Sequence, residues 1–263
     1  MTTEDAVVLR HRDLEQIANA ALRMGRLSME CGGRVRVVHE GMRLVTRGLG
    51  AETVGIRTGY ASLAVTVGAG RETITRMCEV GRHGVNHRLD LALRRFATEI
   101  SEFGSTPERV HSGLDRLVRG TPHHPLWLVA PATGLACAAF GRLLGVDWLA
   151  FVPILIGGTA GQWVRNRLLH RGVNPCVMAA IVAFVAGSIG GWGARILGSG
   201  SIETALMAST LLLVPGVPAT NAQTDIMEGY PTVGSARAVW VAMIMVFATT
   251  GIWGAEALLR GWS

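Results

Sequence analysis

Lysine is absent from this chain of 263 residues, so its 25 basic side chains are all arginine, set against 19 acids. That absence reads as codon bias and excludes no chemistry. The scarcity of charge excludes more. Only 17% of residues are charged, 49% are hydrophobic and mean hydropathy is +0.34, too apolar for an ordinary soluble domain of this length. Cysteine is sparse: Cys31, Cys78, Cys137 and Cys176 lie far apart without C-x-x-C spacing, which argues against a disulfide framework or a zinc ribbon and fits a reducing compartment. There is no phosphate-binding G-x-x-x-x-G-K-[ST] loop, which argues against an ATP-driven pump. No nucleophile elbow and no constellation of nucleophile, base and orienting group stands out, so no catalytic residue and no cofactor are expected, and the chain reads as a non-enzyme. Met1-Thr-Thr-Glu-Asp5 has neither the basic nor the apolar region of a secretory signal, so the first domain is expected to stay in the cytoplasm.

What charge there is sits unevenly. Met1–Pro122 carries 18 Arg and 14 acids, and His123–Ser263 carries 7 Arg and 5 acids. The sequence therefore predicts a polar half joined to a membrane half: a small cytoplasmic α+β domain over 1–121, then an α-helical integral membrane domain over 122–263 with about five transmembrane helices.

In the polar half, Leu14, Ile17, Ala21 and Met24, and then Val35, Val38, Met42, Val45 and Leu49 after Gly32-Gly33, recur at helical spacing. Gly59–Val67 and Glu72–Cys78 around the turn Gly68–Arg71 read as a β-hairpin. A further helix carries Leu89, Leu93, Phe96, Ile100 and Phe103. Thr106-Pro107 opens a fourth, as an N-cap followed by a first-turn proline. Cys78, His83 and His87 invite a metal reading, but Gly84 interrupts the helix they would need and no fourth ligand is evident, so no metal site is expected. His123-His124 suit the membrane interface. The arginines are interspersed with acids, which fits a solvated surface near anionic lipid headgroups rather than a nucleic-acid partner.

Five apolar segments follow, at about Leu126–Leu144, Trp148–Val164, Pro175–Leu197, Ile202–Ile226 and Val233–Leu258, each near the roughly 17–25 residues that cross hydrocarbon. Trp127, Trp148 and Trp163 at segment ends suit an aromatic belt. The loop Arg165–Arg171 has three arginines and no acid, which by the positive-inside rule places it, and with it the N-terminal domain, in the cytoplasm of a multi-pass bacterial inner-membrane protein. Small residues crowd Gly157–Gly161 and Gly187–Gly193, which suits close helix packing or, for some of them, the lining of a translocation path.

The fourth segment is the unusual one. Leu211–Ala222 begins as an apolar helix and then meets Pro215-Gly216-Val217-Pro218. Each proline lacks a backbone N–H and clashes with the preceding turn. Two arrangements are open: a proline kink or helix end at the bilayer surface, or an unwound stretch lining a wet cavity, as in transporters whose half-helices aim N-terminal amides at an anion. In the second, Thr220 and Asn221 sit where caps and ligand contacts belong, and Asp225 is the best placed of the few intramembrane acids.

Leu213-Val-Pro-Gly-Val-Pro-Ala-Thr-Asn-Ala222, with Asp225, Gly229 and Gly234-Ser-Ala-Arg237, resembles the signature of the threonine/serine exporter family, and more narrowly the larger subunit of its two-part members, which are associated with succinate export. Gly32-Gly33, the Val35–Leu49 helix, the Tyr60–Cys78 hairpin with Arg76, and Gly84-Val-Asn86 fall where that pattern expects them. The resemblance implies export of small carboxylate-bearing metabolites, organic acid or amino acid. It also implies a smaller all-membrane partner subunit or at least a homo-oligomer, and it marks Pro215, Gly216, Pro218, Asn221 and Asp225. A dicarboxylate would rest on the half-helix N-terminus near Gly216–Asn221, with Arg165 or Arg237 neutralising its second carboxylate. Threonine or serine would need a carboxylate or free carbonyls for its ammonium. A membrane-tethered enzyme or sensor acting through the soluble half is the reading from another class.

Overall fold

The computed structural model describes residues 11–122 and 124–261. The readings of Met1–Asp5 and His123 lie outside them. The chain divides into two compact units, one drawn from Met1–His123 and Val217–Ala238, the other from His124–Gly216 and Val239–Ser263. Residues 217–238 thus belong with the polar half, although most of them fall within the fourth and fifth apolar segments of the sequence.

The first unit holds α1 (His11–Glu30), α2 (Val35–Gly48), β1 (Thr53–Thr58), β2 (Ser62–Ala69), β3 (Glu72–Glu79), α3 (His87–Phe103) and α4 (Pro107–Gly120). The strands form one antiparallel sheet in the order β1-β2-β3, with Ala69 opposite Glu72 and Thr58 opposite Leu63. The sequence predicts only the β2–β3 hairpin. It misses β1, where Gly55 and Arg57 interrupt an apolar set of just Val54 and Ile56. β2 alternates, with Leu63, Val65 and Val67 buried beneath α1. They join Leu14, Ile17 and Met24 of α1, Val38, Met42 and Val45 of α2, Leu93 and Ile100 of α3, and Leu114 of α4 in one core. At about 1.5–3 kcal/mol per fully buried side chain, this core carries most of the unit's stability. The helix ends follow sequence chemistry: the Asn86 side chain accepts from Leu89 N–H at 3.1 Å, Thr106 accepts from Arg109 N–H at 3.4 Å, and Pro107 opens α4.

The second unit holds α5 (Leu126–Leu143), α6 (Phe151–His170), α7 (Pro175–Ile196), α8 (Ile202–Ser209) and a 3-10 turn at Leu211–Leu213. Two further helices are shared with the first unit. Of α9 (Gly216–Met227) only Gly216 belongs to the second, and α10 (Pro231–Arg260) enters it at Val239. α6 packs against α5, α7 and α8. A Cβ on Gly157 would lie 2.7 Å from the Ala186 carbonyl oxygen, so α6 and α7 approach to a distance that only glycine allows.

Among the described residues, α5, α7 and α10 are long and apolar enough to cross a membrane, and α8 with α9 adds a fourth candidate if the broken pair counts as one span. The expected count is five. α6 falls short because its apolar run ends at Val164, and what reads as a basic loop, Arg165–His170, is the helix's own last turns. Trp127, Leu135, Phe140, Trp148 and Trp253 are exposed, as lipid-facing side chains are.

Candidate functional site

The site is built on the way α1 ends. Gly32 N–H bonds the Met29 carbonyl at 3.0 Å, and Gly33 N–H bonds Ser28 at 2.9 Å. These are the two bonds of a Schellman motif with its glycine at C′. Gly32 has φ +87°, and a Cβ there would meet the Gly84 carbonyl oxygen at 2.7 Å, so glycine is required on both counts. The turn leaves the Gly32 and Gly33 carbonyls free to accept from elsewhere. Two residues on, α2 begins at Val35. Its N-cap, Arg34, is extended and offers no side-chain cap, so α2 opens with an uncapped amide.

The partners come from 217–238. α9 ends as α1 does: Gly229 (φ +90°) bonds Ile226 and Tyr230 N–H bonds Asp225, and the chain reverses into α10. Gly234 lets α10 lie against α9, since a Cβ there would sit 2.8 Å from the Ala222 carbonyl oxygen. This hairpin aims three predicted residues at the α1–α2 junction. Asn221 Nδ2 donates to the Gly32 carbonyl at 2.7 Å, and Arg237 Nη2 donates to the Gly33 carbonyl at 2.9 Å. Val35 N–H donates to Asp225 Oδ1 at 2.9 Å, so the carboxylate caps α2 from 190 positions away. Arg237 Nη1 closes the set on Asp225 Oδ2 at 2.6 Å.

Asp225 is wholly buried and the Arg237 side chain is 5% exposed. Such a pair loses several kcal/mol of hydration per ion and persists only where geometry and further hydrogen bonds compensate. Here both carboxylate oxygens and both terminal guanidinium nitrogens are engaged. Two further contacts flank the pair, Arg34 with Glu228 at 3.3 Å and Tyr230 Oη with His39 Nδ1 at 3.4 Å. His39 Nε2 lies 2.7 Å from Thr58 Oγ1, so the neutral ring donates through one nitrogen and accepts through the other. Burial, with Arg43 adding to it, pushes its pKa down to about 4. At the end of α1, burial pushes the Cys31 thiol up to about 11 and keeps it protonated. All four cysteines are free. His83, weighed as a metal ligand from sequence, stacks on Tyr60, its Nε2 2.8 Å from the Tyr60 carbonyl oxygen, and burial lowers its pKa.

The remaining predicted residues divide between the units. Pro215 and Gly216 lie in the second and Pro218 and Thr220 in the first. The fourth segment is interrupted as the prolines require, but they act differently. Pro215 falls in the break. Pro218 lies in the first turn of α9, where a missing N–H costs no helical bond. Thr220 Oγ1 donates back to the Val217 carbonyl at 3.0 Å. In the break, Gly216 N–H bonds Val214 instead of continuing the ladder to Leu212, and Arg165 Nη1 donates to the Leu212 carbonyl at 3.3 Å. Arg165 thus satisfies backbone that the break releases, while Arg237 holds a carboxylate. Sequence reasoning misses the Gly33 carbonyl, the Val35 amide, His39 and Tyr230. The available signal is a helix start, Gly-Gly-Arg-Val, with no capping residue of its own.

Three membrane-length helices and an interrupted apolar pair are the make-up of a membrane protein with several spans. The profile of the family described as "Putative threonine/serine exporter" matches residues 19–259, and the chain belongs to that family. It is 34% identical over 147 residues to a protein of Klebsiella aerogenes named "Probable succinate transporter subunit YjjP", covering 53% of this chain and 55% of the relative. The protein of the same name from Escherichia coli (strain K12) is 34% identical over 146 residues, covering 53% of this chain and 56% of the relative. The chain thus spans about half the length of the curated relatives it matches. No solved structure matches it.

Proposed function

We propose that this chain is a subunit of a secondary transporter that exports a small dicarboxylate of the succinate type across the bacterial inner membrane. In this reading the α+β part faces the cytoplasm and a smaller all-membrane subunit completes the path. The observation that carries it is the buried Arg237 guanidinium, held by the hairpin that follows the broken helix and already bound to a carboxylate. The residues proposed to meet the cargo are Asn221, Asp225 and Arg237, with Pro215, Gly216, Pro218 and Thr220 shaping the half-helix start. Arg165 supports the break. The names of the two relatives point to the same cargo.

One observation favours threonine or serine instead: Glu228 Oε2 is buried without a hydrogen-bond partner, and a substrate ammonium would satisfy it. Efflux of labelled succinate and of labelled threonine from proteoliposomes, with and without the small membrane partner, separates the two. Succinate efflux that depends on the partner and falls at least tenfold in Asn221→Ala is the expected result, about the loss of one well-placed hydrogen bond in a buried site. Threonine efflux alone would transfer the assignment to the amino acid.

A further inference from the structure

The Asp225 carboxylate occupies a place with the chemistry of an anion site. One oxygen sits on the first amide of a 14-residue helix that has no cap of its own, and the other on a buried guanidinium. Arg237 is anchored independently by its bond to the Gly33 carbonyl, so its position does not depend on Asp225 alone. We infer that Asp225 is a tethered occupant of a carboxylate seat formed by Val35 N–H and Arg237, and that a carboxylate of the cargo exchanges with it during transport. This rests on the proposed carboxylate cargo and adds the atoms that hold it and the group that competes with it.

The exchange conserves charge in the seat, because one carboxylate replaces another on the same guanidinium. The displaced Asp225 has a second cation within electrostatic reach, Arg34, which pairs with Glu228 over 3.3 Å. Asp225 is fully buried, so cargo enters only as the α9–α10 hairpin parts from the α1–α2 junction. The resting contact therefore excludes the anion it is built to receive. This also bears on amino-acid cargo: Asp225 is committed to Arg237 and would hold an ammonium only after that pair opens.

The test is chemical rescue of the full-length protein in lipid nanodiscs. Asp225→Ala removes the tethered carboxylate and leaves its donors, so the unfolding midpoint should drop and then rise saturably with sodium formate or acetate. Sodium chloride at equal ionic strength should do nothing, and neither should formate on wild type or on Asp225→Ala with Arg237→Met. If Asp225→Ala is recovered only when purified in acetate, that is the same result. No recovery in acetate, or equal rescue by chloride, overturns the seat. Asp225→Asn keeps the shape and weakens the internal competitor, so equilibrium binding of labelled succinate should tighten about tenfold as the open seat becomes more populated. Binding equal to or weaker than wild type overturns the exchange. Formate rescue without succinate flux sustains the seat and removes succinate as cargo. Succinate flux without rescue sustains the transporter and removes the seat.

Discussion

In the first unit an aspartate and an arginine are buried together among backbone donors and acceptors. In the second, the helices bring mainly glycine, alanine and hydroxyl side chains to their contacts, and Ser209 Oγ donates to the Ala205 carbonyl of its own helix. Arg165 and Arg237 show the difference most directly. Each follows from sequence as a partner for a cargo carboxylate. The structure gives one to the Leu212 carbonyl, left free where Gly216 N–H turns to Val214, and the other to a buried carboxylate. A carbonyl needs one donor, and one arginine of a neighbouring helix supplies it. A buried charge needs an opposite charge, and here it draws in residues far apart in the chain. The buried charge pair of the first unit therefore gathers backbone groups from distant segments, whereas Arg165 in the second serves a single released carbonyl.

That contrast can be broken most severely at Arg237. Arg237→Met leaves Asp225 buried and unpaired, and the loss should be about 3–5 kcal/mol, read from denaturant or thermal unfolding in nanodiscs. The same change at Arg165 leaves one carbonyl unsatisfied and should cost about 1–3 kcal/mol. If the two losses are equal, the two arginines do the same work and the comparison fails. Between them lies a pH effect. His39 has its folded pKa lowered to about 4 against about 6.5 unfolded, so the unfolded chain binds the extra proton first. Its contribution is complete above pH 6.5 and is lost as pH falls towards 4, by up to about 3 kcal/mol at 1.36 per unit. His39→Gln should flatten that decline in unfolding curves between pH 7 and 4, whereas an unchanged slope would assign the acid sensitivity to other groups.

Much of the fold is legible in the sequence where a single residue type forces the outcome. Pro215 has no N–H, so the fourth segment breaks there. Thr106-Pro107 and Asn86 start helices because their side chains do so anywhere. Asn221 and Asp225 emerge from their places just after the proline break, and Arg237 from the resemblance to an exporter signature. Their partners stay hidden because they are mostly backbone atoms, which have no letter: the Gly32 and Gly33 carbonyls and the Val35 amide. Strand β1 escapes notice because two apolar residues are too few to set a period. α6 misleads because a run of arginines after an apolar stretch reads as a loop, although helix geometry tolerates them and Arg167 lies over Trp163 at 4.6 Å.

The discontinuity of the first unit bears on how the protein is made. The amide of Val35 and the carboxylate that caps it are 190 positions apart, and Gly33 is 204 from Arg237. At ~5–20 residues per second, the ribosome delivers the missing carboxylate roughly 10–40 s after the amide. During that interval every intervening apolar segment must be handed to the insertion machinery while the nascent α1–α2 junction stays hydrated. Maturation of the N-terminal part therefore finishes after membrane integration has begun, an order of assembly imposed by hydrogen bonds between groups that leave the ribosome so far apart in time.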